Sequence, residues 1–247
     1  MKALILAGGY AKRMWPLTKD TPKPLLLLGG RPAIDYLLDR LQEANIKTVI
    51  ISTNQRFKPQ FERWSQNKQA FQIEISTEKS RDEKEKLGAT RALAELAPKL
   101  TQDDYIIIAG DNIFTNKMKG MISFYQQKKT PVIALMKANS LDDVKRGSSV
   151  TLDEDMRITS FEEKPTKPQS MLIGVCIYIM PHRAILRASD YLAEGGRQDE
   201  LGNFAAWLCE KEKVHGYMLE GRLWDVGTIE SYEQLKKEFE KSPTTIT

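Results

Sequence analysis

The sequence predicts an α/β protein built on a doubly wound, mostly parallel sheet. Short apolar runs rich in β-branched residues alternate with stretches in which apolar residues recur at helical spacing. One run, residues 105–109 (Tyr-Ile-Ile-Ile-Ala), is apolar throughout, as is typical of a strand buried on both faces of a parallel sheet. The second half is richer in strands and less regular, which favours a mixed-strand extension of the sheet.

Nine strands and six helices follow from these patterns. The strands are predicted at residues 2–7, 48–53, 71–76, 105–109, 131–136, 148–152, 158–163, 172–180 and 214–219. The helices are predicted at residues 33–44, 90–96, 118–127, 183–192, 203–211 and 228–240. The first helix has four apolar residues at helical spacing, and Pro32 suits its first turn. Up to residue 137 the strands and helices alternate, as in consecutive βαβ units.

The composition is that of an ordinary folded domain. Of the 247 residues, 41% are hydrophobic and 28% are charged, which excludes a collagen-like or disordered chain. Two cysteines are too few for a disulfide framework or a cysteine-rich zinc site. The first apolar run, residues 3–7, is far shorter than a signal peptide or a membrane span, so we expect a soluble, cytoplasmic protein with no membrane partner. The net charge of +4 suits an anionic substrate but is too small and dispersed to predict a nucleic-acid partner.

A glycine-containing loop directly follows the first predicted strand. Residues 6–18 read Leu-Ala-Gly-Gly-Tyr-Ala-Lys-Arg-Met-Trp-Pro-Leu-Thr, and residues 22–24 read Pro-Lys-Pro. Ligands of open α/β sheets bind beyond the carboxyl ends of the strands, and glycines let backbone N–H groups approach phosphate oxygens. A bare Gly-Gly is equally compatible with a tight turn, and the spacing is not that of a Walker loop. Arg13 and Lys23 add two cations suited to phosphate, so the whole string predicts a phosphate-binding loop.

This string resembles the signature of the sugar-1-phosphate nucleotidyltransferases, also called nucleotide-sugar pyrophosphorylases, and among them the glucose-1-phosphate thymidylyl- and uridylyltransferases. Their loop reads Leu-Ala-Gly-Gly-x-Gly-x-Arg-Leu-x-Pro-Leu-Thr and is followed by Pro-Lys-Pro. The present loop departs from it at Ala11 and Met14. The resemblance implies one Rossmann-like nucleotidyltransferase domain over residues 1–241, followed by a tail, 242–247. Its parts would be a nucleotide-binding half (1–137), a sugar-phosphate-binding half (138–227) and a C-terminal helix (228–241).

Two further segments match the nucleotide side of this family. Residues 85–93 (Glu-Lys-Leu-Gly-Ala-Thr-Arg-Ala-Leu) correspond to a Leu-Gly-Thr-Ala motif whose backbone faces the base, here at Leu87 and Gly88. Read alone, the glycine also suits the start of a helix. Residues 109–113 place Asp111 after the most apolar strand, where a carboxylate suits Mg²⁺ or, alternatively, a turn or helix cap.

Residues 161–165 (Phe-Glu-Glu-Lys-Pro) resemble the Phe-x-Glu-Lys-Pro pattern of the same family. The resemblance makes Glu163 an acceptor for sugar hydroxyls and Lys164 a clamp for the sugar phosphate. A surface ion pair is the alternative for these two residues. Gly174 corresponds to a sugar-contacting glycine, and a glycine inside a strand is typical of close ligand approach or a bulge.

Residues 224–228 (Trp-Asp-Val-Gly-Thr) resemble the family's Trp-x-Asp-x-Gly-Thr or a close variant. Asp225 would then be the second carboxylate for Mg²⁺, while Thr228 is the expected N-cap of the last helix. The implied reaction transfers a nucleoside monophosphate from an NTP, with dTTP or UTP preferred, to a sugar 1-phosphate, with glucose 1-phosphate preferred. Its partners are these two substrates, and homo-oligomers are left open.

The resemblance thus assigns four groups of residues. They are catalytic Arg13 and Lys23; nucleotide-binding Leu6, Ala7, Gly8, Gly9, Leu87 and Gly88; sugar-phosphate-binding Glu163, Lys164 and Gly174; and magnesium-binding Asp111 and Asp225. Two other functions stay open: a cytidylyltransferase for another small phosphate, and a non-catalytic regulatory protein that binds sugar nucleotides. The 161–165 and 224–228 segments favour a sugar phosphate, and the retained charged residues favour an enzyme.

Overall fold

The structure, a computed structural model, describes residues 1–241 apart from the side chains of Asp225 and Lys241. The predicted tail, 242–247, lies outside the described residues. The strands are β1 (Lys2–Leu6), β2 (Leu27–Leu28), β3 (Arg31–Pro32), β4 (Thr48–Asn54), β5 (Gln72–Glu78), β6 (Asp104–Ala109), β7 (Asn112–Phe114), β8 (Val132–Lys137), β9 (Ser148–Leu152), β10 (Ile158–Glu163), β11 (Leu172–Pro181), β12 (His215–Met218) and β13 (Leu223–Asp225). The α-helices are α1 (Ala33–Glu43), α2 (Lys58–Ser65), α3 (Ala89–Leu96), α4 (Met118–Lys128), α5 (Leu141–Arg146), α6 (His182–Ala193), α7 (Leu201–Lys211) and α8 (Ile229–Lys241).

The chain folds into two compact units. The N-terminal unit contains Lys2–Lys86, Ile108–Met118 and the chain from Gly221 on. The central unit contains Met1, Leu87–Ile107 and Lys119–Glu220. Strand β6 contributes its first four residues to the central unit and its last two to the N-terminal unit. The expected boundaries at residues 137 and 227 separate the nucleotide-binding half, the sugar-phosphate-binding half and the C-terminal helix. This division by substrate stays a prediction.

The N-terminal unit is built on parallel strands. β1, β4 and β5 lie side by side, with Ile5 opposite Ile51 and Ile51 opposite Ile75. The end of β6 follows on the other side of β1, where the Gly110 N–H donates to the Leu6 carbonyl at 2.9 Å. The interiors of β1 and β4 are buried, as expected for strands covered on both faces. The carboxyl ends of β1, β4 and β6 therefore meet at one edge of this sheet.

A hydrophobic cluster joins the beginning and the end of the chain inside this unit. It consists of Met14, Leu26, Leu28, Ala33, Tyr36, Ile113, Val226, Tyr232, Leu235 and Phe239. The Tyr232 hydroxyl donates to the Leu27 carbonyl at 2.8 Å, and the Tyr36 hydroxyl donates to the Leu28 carbonyl at 2.9 Å. Burying each large side chain here is worth about 2 kcal/mol. Helix α8 is thus an integral part of the unit that carries the glycine loop.

The central unit contains the mixed strands. β8 lies antiparallel to β11 and parallel to β12, and β9 lies antiparallel to β10 and β11. The first part of β6 neighbours β11. The register between β8 and β11 shifts between Gly174 and Tyr178, which marks a bulge in β11.

All nine predicted strands and all six predicted helices are present, with ends that differ by at most two residues. The α/β class, with a mostly parallel central sheet and a mixed extension, is confirmed. The patterns do not predict α2 or α5, because α2 buries only Phe61 and α5 buries only Val144, so neither has an apolar stripe. Strands β2, β3, β7 and β13 have two or three residues each, too few for a visible alternation. No helix among residues 1–241 has the length and apolar character needed to cross a membrane.

Candidate functional site

The glycine loop leaves the end of β1 and is held in place by β4. The Ala7 N–H donates to the Ser52 carbonyl at 2.7 Å. The Thr53 hydroxyl donates to the Ala7 carbonyl at 3.2 Å, and the Asn54 amide donates to the Gly8 carbonyl at 3.0 Å. A β-carbon at Gly9 would meet no atom within 4 Å, so the backbone there faces open space. This is the exposed main-chain surface that a phosphate-binding loop requires.

The loop then turns at Ala11, which has the left-handed backbone angles φ 46° and ψ 46°. The following 3₁₀ turn, Lys12–Met14, is anchored by the buried Met14 side chain, and the Thr18 hydroxyl donates to the Ala11 carbonyl at 2.8 Å. Glycine adopts this conformation more readily than any other residue. The left-handed backbone explains why the family pattern has glycine at this position. Alanine adopts the same turn here at a cost in backbone conformational energy of about 1 kcal/mol.

Glu78 is a site residue that sequence reasoning missed. Glu78 is the half-buried last residue of β5 and lies two residues beyond the predicted end of that strand. Its carboxylate covers Gly8 so closely that a β-carbon at Gly8 would lie 2.8 Å from Glu78 Oε1. Ser80 is fully buried and hydrogen-bonds to the Tyr10 hydroxyl at 2.9 Å. The signal in the sequence is the alternation of β5, which continues two residues beyond the predicted end at residue 76.

Lys23 and Asp111 meet at the same edge of the sheet. Lys23 begins a 3₁₀ turn between two prolines, and its Nζ lies 2.5 Å from Asp111 Oδ2. The lysine side chain is 12% exposed and the aspartate side chain 28%, so the pair is shielded from solvent but reachable. Gly110 permits this approach, because a β-carbon there would lie 3.0 Å from Pro24 and 3.2 Å from the Leu6 carbonyl. Arg13 is exposed on the 3₁₀ turn of the glycine loop.

Strand pairing brings the backbone of Asp225, the second predicted metal ligand, to the same region. β13 lies antiparallel to β7 with Asp225 opposite Asn112, the residue after Asp111. The side chain of Asp225 lies outside the described part of the structure. Thr228 caps α8 as expected, since its hydroxyl accepts from the Ser231 N–H at 3.1 Å.

Leu87 and Gly88 lead into α3 in the central unit. Gly88 has φ +82°, and a β-carbon there would lie 2.4 Å from the Gln198 carbonyl oxygen. That carbonyl accepts from the Thr90 N–H at 3.0 Å, and the Asp199 carbonyl accepts from the Ala89 N–H at 3.0 Å. The helix-start interpretation of Gly88 is therefore confirmed. The first N–H groups of α3 are satisfied by the chain itself, so we do not expect a phosphate there.

Glu163 ends β10 and is packed tightly against α7. Its carboxylate lies on the backbone of Gly202, where a β-carbon would overlap with Glu163 Oε2 at 1.9 Å. Burial raises the pKa of Glu163 from its ordinary 4.5 to about 7, Lys164 lowers it in part, and the Glu200 carboxylate raises it further. Burial thus favours the protonated form of this carboxyl group up to a higher pH than in the unfolded chain.

Lys164 forms an ion pair that the sequence does not predict. Its Nζ lies 2.5 Å from Glu200 Oε1, and Asn203 Nδ2 donates to Glu200 Oε2 at 3.3 Å. Hydrogen bonding to Lys164 lowers the pKa of Glu200, so this carboxylate is ionised at neutral pH. The two residues are 36 positions apart, which is why no local pattern could connect them.

Gly174 lies beside these residues but has a packing role of its own. Its N–H donates to the Ser148 hydroxyl at 2.8 Å, and Ser148 lies opposite Glu163 in the β9–β10 register. A β-carbon at Gly174 would lie 2.8 Å from the Phe161 ring. The close approach that a strand glycine indicates is therefore made by Phe161, and the sugar contact stays a prediction.

Each unit thus gathers its own set of predicted residues. In the N-terminal unit, the glycine loop, Lys23 and Asp111 lie at the carboxyl edge of the parallel strands. In the central unit, Glu163 and Lys164 are joined by Glu200, whose segment also caps α3 at Gly88. Fold and site together define an α/β protein whose predicted phosphate-binding loop lies at the carboxyl edge of its parallel strands.

The chain belongs to the nucleotidyl transferase family, whose model matches residues 2–242. It is similar to the glucose-1-phosphate adenylyltransferase of Clostridium acetobutylicum, with 27% identity over 249 residues, covering 93% of this chain and 64% of the relative. It is also similar to the mannose-1-phosphate guanylyltransferase of Mycobacterium tuberculosis, with 28% identity over 235 residues, covering 93% of this chain and 62% of the relative. The chain therefore spans slightly less than two thirds of the length of these curated relatives.

Solved structures share the fold. A Bacillus anthracis structure described as a glucose-1-phosphate thymidylyltransferase has a TM-score of 0.82 at 23% identity and covers 97% of this chain and 95% of its own. An apo UDP-glucose pyrophosphorylase has a TM-score of 0.83 at 19% identity and covers 98% of this chain and 99% of its own. The resemblance to the sugar-1-phosphate nucleotidyltransferases seen in the sequence is confirmed.

Proposed function

We propose that this chain transfers a nucleoside monophosphate from a nucleoside triphosphate to a sugar 1-phosphate and releases pyrophosphate. The observation that carries the proposal is the Lys23–Asp111 pair at the strand edge from which the open glycine loop departs. A partly buried cation, a carboxylate and exposed main chain are what a polyphosphate and its counter-ion need. Two curated relatives, named for glucose 1-phosphate and mannose 1-phosphate, support the sugar phosphate as acceptor.

The proposed chemistry depends on charge compensation. A nucleoside triphosphate carries about four negative charges and a sugar 1-phosphate about two, and such charges repel by several kcal/mol in a partly dry site. In this proposal Arg13 stabilises the departing pyrophosphate, Lys23 contacts the nucleotide phosphates, and Lys164 binds the sugar phosphate. The attacking sugar-phosphate oxygen is already ionised, so no side chain has to remove a proton from it. Glu163 and the backbone at Gly174 orient the sugar.

We propose that Asp111 and Asp225 hold a magnesium ion. The donor set supports this, because both are carboxylates and Asp225 lies opposite Asn112, the residue after Asp111, across β7 and β13. Mg²⁺ takes one or two carboxylates and completes its shell with substrate phosphates and water, so two aspartates are enough for this role. A carboxylate has about four lone-pair positions, so the Lys23 contact leaves Asp111 able to bind a cation. Bound Mg²⁺ would neutralise phosphate charge.

For the nucleotide base and the sugar we propose only the order in which the candidates should be tested. The sequence resemblance favours dTTP or UTP with glucose 1-phosphate, whereas the names of the relatives span adenine, guanine, thymine and uracil. Uracil and thymine differ by one methyl group, worth about 1 kcal/mol of burial, so both belong in the first assay.

The test is pyrophosphate release in the presence of Mg²⁺, glucose 1-phosphate and each of dTTP, UTP, CTP, GTP and ATP in parallel. Release that requires both substrates supports the proposal and identifies the base. Asp111→Asn should abolish it, whereas Asp142→Asn, at an exposed carboxylate on α5, is the matched control and should not. If all five nucleotides fail with glucose, mannose and other sugar 1-phosphates, the transferase proposal is wrong.

A further inference from the structure

The ion pair between Lys164 and Glu200 bears directly on how the sugar phosphate binds. Lys164 is the proposed phosphate ligand, yet its Nζ is held 2.5 Å from a carboxylate oxygen. A phosphate placed on Lys164 would bring nearly two negative charges beside that carboxylate. Two anions beside one ammonium group repel each other, so binding of the phosphate favours opening of the Lys164–Glu200 pair.

The two partners differ in how freely they can move. The Glu200 carbonyl accepts from the Thr90 hydroxyl at 3.1 Å, and its carboxylate is also held by Asn203 at 3.3 Å. The two preceding residues, Gln198 and Asp199, cap α3 through their carbonyls. Glu200 is therefore fixed at its backbone and at its carboxylate.

Lys164 is anchored only at its backbone. Its N–H donates to the Gly147 carbonyl at 2.7 Å, and its φ is +50°. The side chain is 50% exposed and ends a flexible stem, whereas the Glu200 side chain is 30% exposed. When the pair opens, the ammonium group moves and the carboxylate stays.

We propose that Glu200 is a positioning residue that holds Lys164 in the free protein and gives it up to the phosphate of the sugar substrate. The inference rests on the proposed function and extends it to a residue outside the family motif. Glu200 would keep the half-exposed lysine in one place, at the cost of competing with the substrate. A phosphate dianion displaces the carboxylate because it carries more charge and more acceptor oxygens.

The test is Glu200→Gln, which keeps the shape and an acceptor oxygen but removes the competing charge. Because an exposed ion pair is worth at most about 1 kcal/mol, we expect the Kd and KM for glucose 1-phosphate to fall about two- to five-fold. The kcat should stay within about two-fold, because Glu200 does not touch the reacting atoms in this scheme. Calorimetric titration with glucose 1-phosphate, or with mannose 1-phosphate if that is the substrate, measures the Kd without turnover.

Two controls separate this from a general structural effect. Glu194→Gln removes another carboxylate of the central unit, which pairs with Lys211 at 3.1 Å, and should leave the KM unchanged. In a Lys164→Gln background, Glu200→Gln should no longer lower the KM, because the two changes act through one interaction. If Glu200→Gln does not fold, Glu200→Asp, which retains the charge but shortens the reach, should lower the KM to a smaller extent.

The outcomes are distinct. An active wild-type protein whose KM for the sugar phosphate is unchanged or raised by Glu200→Gln refutes the exchange. A KM that falls equally in the Lys164→Gln background also refutes it. A wild-type protein that neither binds nor turns over any sugar 1-phosphate refutes the proposed function instead.

Discussion

Replacing Glu163 by glutamine should stabilise the protein above neutral pH and leave its stability unchanged in acid. Glu163 is the buried carboxyl group at the end of β10, and burial is the main cause that raises its pKa from 4.5 to about 7. In the unfolded chain the same group ionises near its ordinary value. The folded protein therefore holds this proton over a pH range in which the unfolded chain has already lost it.

The sign and the size of the stability change follow from the difference between the pKa of Glu163 in the folded protein and in the unfolded chain. A raised pKa contributes stability that is complete below about pH 4.5 and is lost as the pH rises to about 7. Each pH unit between the two values corresponds to about 1.4 kcal/mol, so the loss amounts to roughly 3 kcal/mol. Glutamine has nearly the same shape and cannot ionise, so the Glu163→Gln variant escapes the loss. Its advantage over the wild type should grow from near zero at about pH 4.5 to roughly 3 kcal/mol above pH 7.

Urea unfolding of both proteins at several values between about pH 4.5 and pH 8 measures this difference directly. Glu162→Gln, at an exposed position on the same strand, is the matched control, and its difference from the wild type should not change with pH. A Glu163→Gln advantage that is flat over this range, or that shrinks as the pH rises, would refute the assignment of a buried, strained carboxylate. In the pyrophosphate-release assay the same variant should lose sugar-phosphate affinity, because glutamine is a weaker acceptor than a carboxylate.

Three further predictions follow from the site and the backbone. Arg13→Ala and Asp225→Asn should each lower the rate of pyrophosphate release by about 10²-fold or more, the scale of losing an electrostatic stabiliser; near-normal turnover would contradict the assigned role. Gly88→Ala should destabilise the protein by about 3 kcal/mol in urea titrations, and Gly195→Ala by about 1 kcal/mol, because both have positive φ but only the first would clash with backbone atoms. Equal losses would disprove the clash. Ala11→Gly should change the unfolding free energy by less than about 1 kcal/mol, since relief of the left-handed strain offsets the added chain entropy; a larger loss would argue against the φ of 46°.

Much of the fold was predictable because its main elements bury continuous or periodic apolar surfaces. The run at residues 105–109 reads as a buried strand and forms most of β6, and the four apolar residues at helical spacing after Pro32 lie on α1. Helix α2 was not predictable, because it packs through Phe61 alone and its other residues are polar enough for a loop. A local hydrophobic pattern predicts a helix or a strand only when that helix or strand has a buried apolar face of its own.

The candidate site likewise contains residues that the sequence predicts and residues that it does not. The glycine loop, Lys23 and Asp111 belong to short motifs that can be read in the sequence, and Lys23 and Asp111 meet in the structure. The alternation of β5 extends to Glu78, but the contacts of Glu78 with Gly8 and of Glu200 with Lys164 span long stretches of chain and could not be predicted. The raised pKa of Glu163 was equally unpredictable from the sequence, since its main cause is burial of the side chain, which packs against Gly202. Sequence motifs identify the groups that carry the chemistry, whereas the partners that adjust their charge come from the tertiary fold.

The hydrophobic cluster that contains Met14 of the glycine loop also determines the order in which parts of the protein can fold during synthesis. Met14, which anchors the loop, leaves the ribosome well before its partners Val226, Leu235 and Phe239, which lie more than 200 positions later in the chain. At about 5–20 residues per second, the loop waits about 10–45 s for the residues that hold it. During that time the central unit can already be complete, because its segments all precede Gly221. The nascent chain can therefore complete the unit that carries Glu163 and Lys164 before the residues of α8 that pack against the glycine loop have emerged.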